Sequence, residues 1–227
     1  MNLHAGILFQ SAVAWSQPVS ASIEGIDSRR QALAGILFAA ISAETFMNEI
    51  EFVAGLHVKH FGTPRWLGAL SALLEEAENS HATVLSKYQL AKFILSGETF
   101  PKGETPFKDF ALLVEIRNLI VHGKSKEAIV ERDDSGDFVW TNPKIMQKLE
   151  GAKLVKLDTS FLSRAAEEHN VDRFVTDVLD ELTSQTTAMW ACTSAAGMVY
   201  GILDAVPNDF PPFKHSVETS YRHAFTI

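Results

Sequence analysis

The chain has 227 residues, of which 46% are hydrophobic and 21% charged, which suits a globular protein with a sizeable core and excludes a disordered or collagen-like chain. A single cysteine, Cys192, excludes an internal disulfide and a multi-cysteine metal site, and it suits a reducing compartment such as the cytoplasm. The 28 acidic residues outnumber the 20 basic ones, and the net charge of −8 argues against a protein that coats nucleic acid along its length.

Two apolar stretches of the sequence could act as targeting or membrane segments. The run 5–9 has no Lys or Arg before it and is too short for a signal-peptide core, so residues 1–26 predict a docked N-terminal arm. The uncharged stretch 182–203 begins with polar residues, and its apolar part is shorter than a hydrocarbon core of about 30 Å requires. Its Gly197-x-x-x-Gly201 spacing would let another helix approach closely. We therefore expect a soluble, single-domain protein over 1–227 with no membrane partner.

Periodic apolar residues and punctuating glycines and prolines predict a mainly α protein. Three helical regions run from about 27 to 60, from 65 to 95 with a break near Asn79, and from 105 or 106 to 122. A linker containing Pro143 precedes a last helical region over about 158–206, which is interrupted near His169 and stopped by Pro207.

One β-hairpin insertion, 128–141, is expected between the helices. The segments 129–131 and 138–140 flank Asp133-Asp134-Ser135-Gly136, which is a turn signal. The acidic run lacks the spacing and the closing glutamate of a calcium loop, so a simple turn is the better interpretation.

The first long helix carries polar residues on its apolar side. Helical spacing places Glu44, Asn48 and Glu51 on the same face as Leu33, Leu37, Ala40 and Ile41. A carboxylate aimed at a core is expensive unless it is paired. These side chains therefore require partners from another element.

The segment 107–122, FKDFALLVEIRNLIVH, is apolar almost all the way round, as is typical of a buried helix. Glu115, Asn118 and His122 nevertheless form one narrow polar stripe, and Arg117 points elsewhere, among apolar side chains. An arginine cannot lose its charge and needs a partner when it is buried. This arrangement indicates a functional site.

Residues 117–122, RNLIVH, resemble the R-x4-6-H signature of the HEPN superfamily, including the polar residue after the arginine. Glu44 and Asn48 are similar to the glutamate and asparagine in the first helix of many HEPN proteins. The segment 190–192 resembles part of the closing helix of bacterial members. The resemblance covers about 34–207 and leaves out the N-terminal arm and the hairpin.

The resemblance implies an up-and-down helical bundle that forms a homodimer and cleaves RNA without a metal or a cofactor. It places Arg117 and His122 of each subunit in a cleft at the two-fold axis. It further implies a toxin–antitoxin or phage-defence setting, with an antitoxin protein as a partner.

Each residue of the motif has a role that suits RNA cleavage. His122 could move protons near neutral pH, and the planar fork of Arg117 could hold phosphate oxygens. Asn118 could orient the ring or the substrate, while Glu44 could tether Arg117 from the first helix, with Asn48 as a second supporting residue. Two-fold symmetry would supply two of each group, so that one histidine acts as base and the other as acid.

Three lysines are expected to bind RNA at the rim of this cleft: Lys108, Lys124 and Lys126. The segment 102–126 holds five basic and three acidic residues, and 144–156 holds four basic and one acidic. These local excesses would let an acidic protein hold a short strand of RNA at one place.

Other interpretations of the same residues remain open. Arg117 can be a structural clasp, paired with Glu44 or Glu51, and His122 can cap its helix at an interface. The chain would then be a non-catalytic HEPN-like module that dimerises or binds a ligand or partner, or a plain helical interaction protein. His57 and His60 lie three apart but lack further metal ligands nearby, and Cys192 is best explained as buried packing.

Overall fold

The computed structural model describes residues 4–17, 26–61, 64–122, 127–132, 138–141, 144–155, 173–177, 182 and 184–227. In this part of the chain there are eight helices and three short strands, so the mainly α class is confirmed. The helices are α1 (His4–Ser16), α2 (Ile26–His60), α3 (Arg65–Asn79), α4 (Val84–Ser96), α5 (Phe107–His122), α6 (Lys144–Gly151), α7 (Gln185–Leu203) and α8 (Pro211–Tyr221). The strands are β1 (Glu127–Arg132), β2 (Phe138–Thr141) and β3 (Arg173–Asp177).

The helices predicted in the first half of the chain are confirmed, and their ends have local causes. The backbone leaves α3 through His81, whose φ of 56° is left-handed. Thr83 then starts α4, because its hydroxyl accepts the backbone N–H of Ser86 at 3.2 Å. Gly97, with a φ of 74°, ends α4 as a glycine C-cap.

Helix α2 is the centre of the core and packs against α1, α3 and α7. The N-terminal arm contains α1, whose Phe9 is fully buried and lies against Phe225, with the ring centroids 4.4 Å apart. Phe46 of α2 meets the edge of Tyr221 from α8 at 4.9 Å. Aromatic side chains therefore join both ends of the chain to the central helix.

Helix α7 is a core helix, and its two glycines receive a loop rather than another helix. A Cβ on Gly197 would lie 2.9 Å from Pro106, and one on Gly201 would lie 2.6 Å from the ring of Phe100. The loop between α4 and α5 thus packs on α7, which fixes where α5 begins.

The three strands form one antiparallel sheet in the order β2-β1-β3. β1 pairs with β2 in the register Ile129 to Thr141, and the predicted turn 133–137 lies outside the described residues. β3 pairs with the other edge of β1, with Val130 opposite Phe174. β3 lies inside the region predicted as helical, so that prediction is wrong for 173–177. With β3 paired to it, β1 belongs to a three-stranded sheet and not to an isolated hairpin.

Three helices lie where the sequence predicted none, and α1 of the N-terminal arm is the first of them. Helix α6 lies in the predicted linker, and α8 follows the predicted stop at Pro207. Pro211 and Pro212 lie in the first turn of α8, where a proline removes no helical hydrogen bond. A proline can therefore mark the start of a helix, as Pro211 does, as well as a stop.

One helix, Ser28–His60, is long and apolar enough to cross a membrane by length and composition. Half of its most apolar window is buried inside the protein, which is also what the central helix of a soluble core shows. It is therefore only weak support for a membrane segment.

Candidate functional site

A surface groove runs between α2, the start of α4 and the middle of α5. Its volume is about 540 Å³, and its wall includes Glu44 of α2 together with Arg117 and Asn118 of α5. The opposite wall is formed by residues 82–85, and its apolar floor includes Ala40, Ala111 and Val114. The groove thus lies between the two helices whose residues resemble the HEPN signature.

Arg117 is held from two sides at the edge of this groove. Its Nη2 donates to Glu44 Oε2 at 3.0 Å, and its Nη1 donates to Asn118 Oδ1 at 3.0 Å. The Arg117 side chain is 29% exposed and that of Glu44 is 41% exposed. The guanidinium group has five N–H donors, so these two contacts leave it able to bind an anion in the groove. Both the tether from Glu44 and the clasp interpretation predicted this pair.

His122 ends α5 and is exposed to solvent. Within the described residues it forms no hydrogen bond or ion pair. It lies five residues after Arg117, or about 140° further round the helix, so the two side chains leave α5 on different sides. A single chain therefore does not bring Arg117 and His122 together through α5, although Asn118 shares a face with His122.

Asn48 does not contact Arg117, so its predicted supporting role is not shown. It accepts a hydrogen bond from Nζ of Lys87 at 3.3 Å instead. Lys87, which is only 6% exposed, also forms an ion pair with Glu78. Burial lowers the pKa of Lys87, while the charges of Glu44 and Glu51 oppose this.

Lys87 is thus the cationic partner that the polar face of α2 required and that the sequence interpretation missed. Its position was a usable signal, because Lys87 shares the buried side of α4 with Tyr88, Ala91 and Leu95. Burial, and then the charge of Glu75, raise the pKa of Glu51, which Lys87 only partly offsets. Arg117 pairs with Glu44 and not with Glu51, the other carboxylate of the clasp interpretation.

The predicted RNA-binding lysines fall in different places. Lys124 and Lys126 lie outside the described residues. Lys108 is exposed near the start of α5 and does not line the groove. It lines a second pocket of about 350 Å³ with Lys102 and Lys148, so the two basic segments of the sequence do come together.

The remaining candidate residues have structural surroundings. His57 lies among Phe61, Phe210 and Phe213, and its Nδ1 is buried without a hydrogen-bond partner. Burial lowers the pKa of His57. Cys192 is fully buried, and burial raises its pKa to about 11, which does not suit a nucleophile.

Within the described residues, no group of three or more His, Cys, Asp or Glu side chains is placed to hold a metal ion. No protein-family model, curated protein or solved structure matches the chain. The chemistry of the site is therefore inferred from its own residues.

Proposed function

We propose that this chain is an endoribonuclease that cleaves RNA without a metal at the groove of Arg117. One observation carries the proposal: Arg117 is fixed by Glu44 and Asn118 but keeps 29% of its side chain exposed, at the edge of an open groove. A cation that is held in place and accessible to the substrate can stabilise the negative charge that develops in the transition state. The similarity of residues 117–122 to the HEPN signature supports the same chemistry.

The reaction would be an internal transesterification. The 2′-oxygen of one nucleotide forms a bond to the adjacent phosphorus, and the bond from phosphorus to the 5′-oxygen of the next nucleotide breaks. One His122 side chain removes the proton from the 2′-hydroxyl, and a second His122 donates a proton to the leaving 5′-oxygen. Arg117 binds the non-bridging oxygens, whose negative charge increases in the transition state.

The placement of the two side chains favours a homodimer as the active form. Because Arg117 and His122 leave α5 about 140° apart, the groove of one subunit would be completed by His122 of a second copy. Val121, next to His122, is 53% exposed and would provide apolar surface for such a contact. Two α5 helices at a two-fold axis would then supply both histidines.

A nuclease of this kind would act in the cytoplasm as a toxin or a defence component. An antitoxin protein that covers the groove or blocks the dimer contact would inhibit it. The net charge of −8 implies weak, local binding of RNA, since broad contacts with the phosphate backbone would be repelled.

The Glu44–Arg117 ion pair also favours a second candidate, a non-catalytic module in which this pair is a structural clasp. In a clasp the pair contributes to folding and nothing else. A surface ion pair of this exposure contributes about 0–1 kcal/mol to the free energy of unfolding. A clasp would therefore stabilise the fold only slightly.

The test is cleavage of a short single-stranded RNA in excess chelator by the wild type, His122→Ala and the control His60→Ala. We expect the wild type and His60→Ala to cleave, and His122→Ala to be slower by about 10²-fold or more. A 2′-deoxy nucleotide on the 5′ side of the cut should block cleavage there. If the wild type does not cleave RNA and does not arrest growth on expression, or if His122→Ala keeps full activity, the nuclease proposal is wrong.

A further inference from the structure

The second pocket, between α5 and α6, is the strongest feature that the proposed nuclease chemistry does not use. Its volume of about 350 Å³ lies in the range of small-molecule sites. Its floor is formed by Leu112 and Ala111 of α5 and by Gly151 and Ala152 at the end of α6. Leu112 is 7% exposed, so the floor is continuous with the hydrophobic core.

Three lysines surround this apolar floor, although the protein is acidic overall. Lys102, Lys108 and Lys148 line the pocket against the two carboxylates of Asp109 and Glu115, which leaves one net positive charge. The protein has a net charge of −8, so a pocket with a net positive charge differs from the rest of the chain. This local charge favours the binding of an anion.

Both carboxylates of the pocket already have partners. Glu115 forms an ion pair with Lys148, and Asp109 accepts a hydrogen bond from the hydroxyl of Thr105 at 2.9 Å. Within the described residues, Lys102 and Lys108 form no ion pair and are exposed to solvent. Their ammonium groups are therefore the donors left for a ligand.

We propose that this pocket binds a nucleoside phosphate. The flat face of the base would lie on the floor of Leu112 and Ala152, and the phosphate would bind Lys102 and Lys108. The pocket is a binding site and not a catalytic one, and the binding of a free nucleotide there does not depend on the nuclease proposal.

The position of the pocket leaves two sources for this ligand. Ala111 and Glu115 line both the pocket and the groove of Arg117, so the two sites are neighbours on α5. The ligand can be a free mononucleotide, or it can be one nucleotide of an RNA strand that continues into the groove. The second source rests on the proposed nuclease function.

The first arm of the test measures binding of AMP to the full chain by calorimetry, with adenosine and inorganic phosphate as partial probes. Lys102→Ala/Lys108→Ala should weaken AMP binding about tenfold, and Lys59→Ala/Arg65→Ala is the matched control with the same loss of charge elsewhere. Gly151→Phe should fill the pocket and weaken binding at least about tenfold, while Gly151→Ala should not. A Cβ on Gly151 would meet no atom within 4 Å, so both variants should fold, which a thermal melt verifies.

AMP should bind more tightly than either partial probe, because only AMP has both the base and the phosphate. The proposal is overturned if AMP does not bind, if both double variants weaken binding equally, if Gly151→Phe has no effect, or if inorganic phosphate binds as tightly as AMP.

The second arm uses a short RNA and the His122→Ala protein. If Gly151→Phe weakens binding of this RNA, the pocket holds a nucleotide of the strand. If it weakens only AMP binding, the ligand is a free nucleotide. A failure of the nuclease proposal would appear as absent cleavage and would leave the AMP measurement valid.

Discussion

Two glutamates of the same helix, Glu44 and Glu49, form two different kinds of polar contact. We call a contact closed when its groups are buried or fully paired, and open when a partner stays exposed and keeps donors for a ligand. The carboxylate of Glu49 accepts the backbone N–H groups of His4 and Ala5 at the start of α1, the latter at 3.3 Å, and the Tyr221 hydroxyl at 3.0 Å. The carboxylate of Glu44 holds one arginine at the rim of a groove. The two residues lie five apart on α2 and face different surroundings.

The partners of the two glutamates differ in whether they can still bind another group. Tyr221 is fully buried, and burial and the Glu49 charge raise the pKa of its phenol, so it is locked as a neutral donor. Glu49 also places a negative charge at the N-terminus of α1, where the helix dipole favours it. Arg117, by contrast, is partly exposed and keeps donors for another anion. We conclude that Glu49 stabilises the fold, whereas Glu44 positions a side chain for use.

The largest effect should come from breaking the closed contact. Glu49→Ala leaves two backbone N–H groups of α1 and the buried Tyr221 hydroxyl without their acceptor, so we expect a loss of about 2–3 kcal/mol in the free energy of unfolding. Urea unfolding measures it. Cleavage per folded molecule should be unchanged, and a large loss of cleavage with little loss of stability would reverse the roles assigned to the two glutamates.

A smaller effect is expected from the open contact. Glu44→Gln removes the charge that holds Arg117 and should slow RNA cleavage about tenfold, because the guanidinium group becomes less well positioned. The free energy of unfolding should change by less than about 1 kcal/mol, since the pair is partly exposed. Rates normalised to the folded fraction separate the two effects. Equal cleavage by Glu44→Gln and the wild type would favour the clasp.

The smallest effect concerns His57, a closed polar group that has no hydrogen-bond partner for its buried Nδ1. Burial lowers the pKa of His57 in the folded state below the value of about 6.5 of an unfolded histidine. The unfolded state therefore binds the proton first, and stability should decrease as the pH falls below about 6.5.

His57→Phe should remove this part of the pH dependence and keep the ring contacts with Phe210 and Phe213. The same substitution at the exposed His60 is the control and should leave the dependence in place. Thermal melts between pH 5 and pH 7.5 follow both variants. A slope that His57→Phe does not change would show that other groups cause the acid sensitivity.

The sequence predicted those features that have local causes. Apolar periodicity and punctuating glycines and prolines predict α2 to α5, because a helix forms its hydrogen bonds within itself. The caps that the structure shows at Thr83 and Gly97 are equally local. The strand β3 could not be found in this way, since its partner β1 is distant in the sequence.

The same reasoning explains the candidate site. The partner of Arg117 was narrowed to Glu44 or Glu51, because helical spacing places these two carboxylates on the apolar side of the first helix. The partner of Asn48 was missed although the sequence carries a signal for it, because Lys87 looks like a surface lysine until the buried side of α4 is considered. Residues that meet only through tertiary packing thus set the limit of the sequence-based prediction.

The most direct test of the central claim is the activity of Arg117→Ala, measured with its stability on the same sample. If Arg117 is held open for RNA, its cleavage rate in chelator should fall by about 10²-fold or more, while the free energy of unfolding falls by no more than about 1 kcal/mol. A variant that cleaves RNA at the wild-type rate but unfolds more easily would contradict this account and make the Glu44–Arg117 pair a structural clasp.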